Sequence, residues 1–155
     1  MHYNLEKFFK LVKQSDNFRS QNTSMYHEDK TDFFELLSYQ IVICNNIFWK
    51  ERFKFITEMY KFINEEIDAE EFSNEIWGIR NYTMSTIEEF KKDFEKLKNL
   101  ELDPRAREFS ILIDNLCSDA DVFEPEANEN EPLNEKWLKD RVKNTILKIQ
   151  KFMKF

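Results

Sequence analysis

Glycine, cysteine and long apolar runs are all scarce in this chain of 155 residues, and each scarcity excludes a class of structure. The single glycine, Gly78, excludes the glycine-rich loops that cradle phosphates in kinases, P-loop proteins and dinucleotide-binding folds. The two cysteines, Cys44 and Cys117, stand in apolar sequence, where a free thiol usually behaves as a small buried hydrophobic side chain, and no feature of the sequence supports the alternative of a disulfide between them. The longest stretch without charge, Leu36 to Trp49, is too short and too polar to cross a bilayer.

The composition is that of a soluble globular protein of one-domain size. Charged residues make up 34% of the chain and hydrophobic residues 41%, with 16 phenylalanines among them. A chain of this length buries about 70% of the surface that its unfolded form exposes, so it needs no disulfide to fold. Its first residues carry the helical pattern of Leu5, Phe8, Phe9 and Val12 instead of a secretory signal, and we expect a cytoplasmic protein without a membrane partner.

Apolar residues recur every three or four positions along the chain, and neither Asn-Gly nor Asp-Gly marks a hairpin. This periodicity predicts an all-α fold. In its first half we expect a short first helix, a loop from Ser15 to Ser24, and two helices between Phe33 and Glu66 that meet near Asn45 and Asn46. In its second half we expect four helices: one at Ala69–Arg80, one that begins at a cap on Thr83 or Ser85, one from Pro104 to about Asp121, and one at Asn134–Phe152. An exposed connection, from Val122 to Leu133, is expected between the last two helices.

Basic residues are missing from one long stretch, between Arg107 and Lys136. That stretch contains nine carboxylates: Glu108, Asp114, Asp119, Asp121, Glu124, Glu126, Glu129, Glu131 and Glu135. The remaining 21 acidic and 23 basic residues sum to +2, so the stretch accounts for −9 in a net charge of −7. Residues 108–135 are called the acidic segment below. Charge of one sign at this density repels itself and favours a cationic partner.

The acidic segment has two interpretations. In the first it is a solvated loop that keeps the protein soluble. In the second it is a protein-binding surface whose carboxylates imitate nucleic-acid phosphates and pair with Arg and Lys of a partner. Direct binding of nucleic acid is disfavoured by the charge, and the lysines of the last helix are typical of a solvated face. A separate hypothesis is a structural or adaptor module that uses an apolar helix face, Phe33, Phe34, Leu37 and Ile41, to bind a partner helix or a second copy of itself.

Neither catalysis nor metal binding is indicated by the pattern of polar residues. Neither His2 nor His27 lies near a cysteine nucleophile or in a spacing typical of metal ligands, and we expect neither to take part in catalysis or metal binding. Asp119 and Asp121 imitate the opening of a calcium loop, but the sixth position is Glu124 and the twelfth is Asn130. We therefore expect no enzyme activity, no cofactor and no metal.

Two strings in the sequence resemble the colicin D immunity protein family. The first is EIDAEEFSNEI, from Glu66 to Ile76, and the second is LCSDADVFEPEAN, from Leu116 to Asn128, followed by the helix ending ILKIQKF. The resemblance covers about Phe53 to Phe152. This chain carries about 52 additional residues ahead of it and an extra predicted helix near Ile87 to Leu100, and Asn128 replaces a carboxylate.

The resemblance implies an antiparallel helical bundle, with a four-helix core and additional N-terminal helices. It divides the chain into an N-terminal helical extension, 1–52, packed on an immunity-like bundle, 53–155. It also implies a function: one-to-one binding to the cationic nuclease domain of a tRNA-cleaving bacteriocin or related toxin, whose active site is blocked by carboxylates that stand in for RNA phosphates. The predicted partner-binding residues are Asp114, Asp119, Asp121, Glu124, Glu126 and Glu129.

Overall fold

A computed structural model describes residues 4–153, and within that range it contains helices and no strand. The helices are α1 (Leu5–Ser20), α2 (Met25–Glu28), α3 (Lys30–Lys50), α4 (Arg52–Ile63), α5 (Ala69–Phe90), α6 (Phe94–Lys98), α7 (Ala106–Val122) and α8 (Glu135–Met153). Their packing forms a bundle, which confirms the predicted fold class. In the described part of the chain, no helix combines the length and the apolar character that crossing a membrane requires.

Short polar side chains set the starts of five helices. Each of them accepts a hydrogen bond from the backbone N–H three residues later, which satisfies one of the donors that a helix start leaves unpaired. The pairs are Asn4 with Lys7, Asp29 with Asp32, Asp68 with Glu71, Asp93 with Lys96, and Asn134 with Trp137. The caps at Asp68 and Asn134 confirm the predicted starts of α5 and α8.

One hydrophobic core runs through the bundle, and aromatic rings join its helices. The stacked rings of Phe62 and Phe72, with centroids 4.7 Å apart, connect α4 to α5. Trp49 meets Phe109 edge-on at 5.7 Å, which connects α3 to α7. Because α3 belongs to this core, residues before 53 and after it pack together. The predicted boundary at 52/53 falls one residue inside α4, just after the corner at Glu51, and the division into two domains stays a prediction.

Two predicted boundaries in the first half of the chain are wrong. The segment from Ser15 is helical as far as Ser20, because half-buried Phe18 packs against the core while its polar neighbours face water. The corner predicted near Asn45 and Asn46 lies instead at Glu51. Asn46 is buried inside α3, where its side-chain amide donates to Val42 O and its Oδ1 accepts the N–H of Asp103.

Two predicted helix starts in the second half are also wrong. No break separates Arg80 from Thr83, because the Thr83 hydroxyl is buried and donates to Ile79 O within α5 instead of capping a new helix. Pro104 occupies a turn, and α7 begins two residues later, at Ala106. The predicted end of α7 near Asp121 is accurate to one residue.

Cys117 is buried in α7, and burial raises the pKa of its thiol to about 12. Because the folded-state pKa lies above the ordinary value of 9.0, the thiolate fraction near pH 8 falls by about a thousandfold relative to an unfolded chain. We expect Cys117 to resist iodoacetamide at pH 8 and to react at once in denaturant. Mass spectrometry of the Cys44→Ser variant, in which Cys117 is the sole cysteine, checks this. Rapid labelling without denaturant would contradict burial of the thiol.

Candidate protein-binding surface

The acidic segment comprises most of α7, the connection 123–134 and the first residue of α8. Asp121, Glu124, Glu126 and Glu129 are all exposed. None of these four carboxylates lies within ion-pair distance of a basic side chain in residues 4–153. They are therefore charged groups whose counter-ions come from the solvent.

The connection 123–134 has a fixed conformation although it contains no helix. The backbone N–H of Glu124 donates to Leu133 O at 2.9 Å, which closes the base of the loop. At that end, buried Asn134 uses Nδ2 to contact the carbonyls of Asn128, Glu129 and Glu131 at 3.1, 3.1 and 2.8 Å. A single amide thus ties the tip of the loop to the start of α8, and the carboxylates project from an ordered backbone.

Four exposed carboxylates line one groove of about 890 Å³. Glu124, Glu126 and Glu131 come from the connection, and Glu70 comes from the first turn of α5. The remaining lining is apolar: Phe123, Pro125 and Ala127. This set of seven residues is called the acidic groove. Among the described residues no basic side chain lines it, and the one local hydrogen-bond donor to its carboxylates is the N–H of Asn128, which donates to Glu131 Oε2 at 2.7 Å.

A second acidic surface lies at the corner between α4 and α5. Glu65, Glu66, Asp68 and Glu71 line a smaller depression of about 370 Å³ together with Glu135 of the acidic segment. Asp68 accepts the N–H of Glu71 as the cap of α5. Glu65 forms an ion pair with Lys139 at 2.6 Å, and this hydrogen bond lowers the pKa of the Glu65 carboxyl. The corner therefore extends the negative surface beyond the acidic segment.

Sequence reasoning missed the carboxylates at this corner as site residues, although a signal for them was present. Residues 62–79 contain six carboxylates and no basic residue, a smaller version of the pattern in the acidic segment. The two strings that resemble the immunity family meet here in space. The Ser73 hydroxyl of α5 lies 3.5 Å from the carbonyl of Ala120 in α7, and Glu70 shares the acidic groove with Glu124.

Four of the six predicted partner-binding residues lie outside the acidic groove: Asp114, Asp119, Asp121 and Glu129. Asp119 accepts a hydrogen bond from Arg141 Nε at 2.8 Å, and its side chain is only 14% exposed. Its charge is therefore compensated inside the molecule, and the same bond raises the pKa of Arg141. Asp114 lies five residues nearer the start of α7, with Oδ1 3.7 Å from Arg80 Nε and 60% of its side chain exposed.

Asp121 stands in the last turn of α7, which contains no basic residue. Carboxylates at a helix C-terminus oppose the partial negative charge of its unpaired carbonyls. We expect Asp121→Asn to stabilise the free protein by about 0.3–1 kcal/mol, since the amide removes this repulsion. Differential scanning calorimetry at low salt measures the rise in melting temperature. A fall would mean that Asp121 has a stabilising contact in the folded state.

The described residues contain no group of three or more His, Cys, Asp or Glu side chains that could hold a metal ion. His27 is exposed in α2, with its ring 5.5 Å from that of Tyr26. His2 lies outside the described residues. Comparison with protein-family models, with curated proteins and with solved structures gives no match to this chain.

Proposed function

We propose that this protein is an immunity protein that binds the cationic nuclease domain of an RNA-cleaving toxin and blocks its active site. The acidic groove is the observation that carries the proposal. Two segments that are distant in sequence place Glu70, Glu124, Glu126 and Glu131 on one concave surface, without a basic residue among them. A solvated loop that serves only solubility has no need for carboxylates from a second helix.

The chemistry of the groove suits a surface that binds RNA. Carboxylates are acceptors for the guanidinium of Arg and point-charge partners for Lys, the same donors that a nuclease directs at phosphates. Inhibition in this form is stoichiometric, because the bound inhibitor occupies the substrate groove and no covalent bond changes. The net charge of −7 adds long-range attraction, which raises the association rate of oppositely charged proteins.

Order in the loop also supports the proposal. Binding by a flexible segment costs free energy for fixing its side chains and backbone, and this cost subtracts from affinity. The amide of Asn134 and the base-closing bond between Glu124 and Leu133 fix most of the loop before any partner arrives. The carboxylates therefore meet a partner already in position.

Co-expression with the product of a neighbouring reading frame tests the proposal. The expected result is suppression of that product's toxicity, co-purification as a one-to-one complex, and loss of RNA cleavage by the purified nuclease when one equivalent of this protein is added. As a standard probe, the nuclease domain of colicin D goes through the same assays. Full RNA cleavage in the presence of a saturating excess would overturn the proposal.

A second candidate function is an adaptor that binds a partner helix, and one observation favours it. Phe34, Leu37 and Ile41 lie on one face of α3 and are 55%, 38% and 49% exposed. Phe33, also in the predicted adaptor face, is half-buried and packs edge-on against Tyr26. An apolar contact persists in about 1 M salt, where the Debye length falls to about 3 Å, whereas the charged contact of the immunity hypothesis weakens. Pull-downs at low and high salt with Ile41→Lys and Glu124→Gln separate the two functions.

A further inference from the structure

A cavity of about 740 Å³ opens on another part of the molecule, between the end of α3, the corner from α5 to α6, and the segment 99–105 that leads to α7. None of its lining residues belongs to the acidic groove. Ligand pockets for small molecules have volumes of about 300–1,000 Å³, and this cavity falls within that range. Its walls combine apolar side chains (Trp49, Phe90, Leu100, Leu102) with charged ones.

The cavity wall contains four basic and four acidic side chains, and two of each form ion pairs. Asp103 accepts two side-chain hydrogen bonds from Arg105, at 2.9 and 2.6 Å, and Asp93 lies 4.0 Å from Lys96. Among the residues that the structure describes, no carboxylate lies within ion-pair distance of Lys50 or Arg52. These two cations, one on each side of the corner between α3 and α4, remain for an anionic ligand, although Arg52 also contributes, after the hydrogen bonds from Arg105, to the lowered pKa of the Asp103 carboxyl. Within residues 4–153 the wall carboxylates Glu95 and Glu101 have no ion-pair partner either, and both are exposed.

Arg52 is held in a fixed position with one donor unused. Its Nη1 donates to Trp49 O at 2.9 Å, and its guanidinium carbon lies 4.6 Å from the centroid of the Trp49 ring and 4.4 Å from that of Phe53. Among the residues that the structure describes, its buried Nε has no hydrogen-bond partner. A buried donor without an acceptor costs about 1–3 kcal/mol, so the folded protein carries a penalty at this side chain.

We propose that this cavity binds a small organic anion: one carboxylate or phosphate group on an apolar body. The anionic group accepts hydrogen bonds from the Arg52 guanidinium and pairs with Lys50. The apolar body lies against Phe90, Leu100 and Leu102. The ammonium of Lys50 already lies 5.2 Å from the Phe90 ring centroid, so the cation and the apolar wall adjoin each other. This site is separate from the acidic groove and does not depend on the proposed immunity function.

Four probe compounds test the proposal on the full chain: phenyl phosphate, benzoate, inorganic phosphate and phenol. Titrations are followed by calorimetry and by the NMR signal of the Trp49 indole N–H. We expect saturable binding of phenyl phosphate, benzoate or both, and their relative affinity decides between phosphate and carboxylate. Inorganic phosphate lacks the apolar body and phenol lacks the anionic group, so each is expected to bind at least about tenfold more weakly.

Variants assign the binding to the cavity. Arg52→Gln is expected to weaken the better probe by about tenfold or more, because a hydrogen bond to a charged group is worth about 1.5–3 kcal/mol. Lys50→Gln changes an exposed side chain and is expected to weaken binding without affecting the fold. The control is Arg19→Gln, which also replaces an arginine with glutamine but at an exposed position of α1, and it is expected to leave the affinity unaltered. Failure of both aromatic anions to bind, equal binding of phenol, or wild-type affinity in both cavity variants overturns the proposal.

Discussion

Replacing Asp121, Glu124 and Glu126 together with their amides is expected to slow association with the toxin nuclease domain by about 10- to 100-fold at low salt. The triple variant keeps the shape and hydrogen-bonding capacity of the surface and removes three negative charges. All three side chains are exposed, and within residues 4–153 none of them forms an ion pair, so the substitutions break no salt bridge there. Stopped-flow fluorescence of the purified pair, from about 20 mM to 500 mM salt, measures the rate.

The salt dependence of the association rate tests whether the three charges act through long-range attraction. Exposed charges act over about 10 Å at 0.1 M ionic strength and over shorter distances as salt increases. The wild-type rate should therefore fall steeply with salt, and the variant rate should fall much less, so that the two converge at high salt. Dissociation rates change less than association rates if the charges act mainly by steering.

A matched control separates local charge from total charge. Glu6→Gln, Asp16→Asn and Glu89→Gln remove three carboxylates that are exposed on α1 and at the far end of α5. Glu89 stands 19 residues after Glu70 on the same helix, about 28 Å away. The control variant should retain most of the wild-type rate. Equal slowing in both variants would show that net charge alone drives association, and an unchanged rate in the test variant would contradict the binding surface itself.

The sequence predicts those helix ends that are set by local contacts. Asp68 and Asn134 cap their helices through N–H groups three residues away, and such short-range bonds are visible as residue types at fixed spacing. The all-α class follows in the same way from periodicity. These features need no information about which helices become neighbours.

Boundaries that depend on tertiary contacts could not be predicted. Asn46 resembles a helix breaker in the sequence, but it lies inside α3 because the N–H of Asp103, 57 residues later, supplies a partner for its side chain. Thr83 resembles a cap, but it is buried inside α5 and its hydroxyl donates to Ile79 O of the same helix. In both cases the packing of the folded chain decides which hydrogen-bond partner the side chain has.

The candidate site shows the same division. The high density of negative charge could be predicted from the acidic segment. The fixed conformation of the loop could not be predicted, because the hydrogen bonds of Asn134 depend on how the loop folds over it. Pairing of Asp119 with Arg141 and inclusion of Glu70 both arise from helices meeting in space. Which carboxylates remain uncompensated is therefore a property of the folded surface, and whether a toxin contacts them stays a prediction.

Asn134→Ala is expected to destabilise the protein by about 2–4 kcal/mol and to weaken toxin binding as well. The alanine removes the cap of α8, worth about 0.5–2 kcal/mol, and it also leaves three loop carbonyls without their shared donor. The loop then pays an ordering cost at binding that the wild-type loop has already met in folding. Urea denaturation measures the stability, and calorimetry with the nuclease domain measures the affinity.

Asn134→Asp separates the two roles of this side chain. The carboxylate still accepts the N–H of Trp137, so the start of α8 survives, but it offers no donor and repels the carbonyls of Asn128, Glu129 and Glu131. In hydrogen exchange, the Trp137 amide should stay protected in the Asp variant and lose protection in the Ala variant. The Ala127 amide, within the loop, should lose protection in both. If binding is weakened equally in both variants, order in the loop and not the cap sustains the affinity; tight binding by a loosened loop would show that the carboxylates work without being held in place.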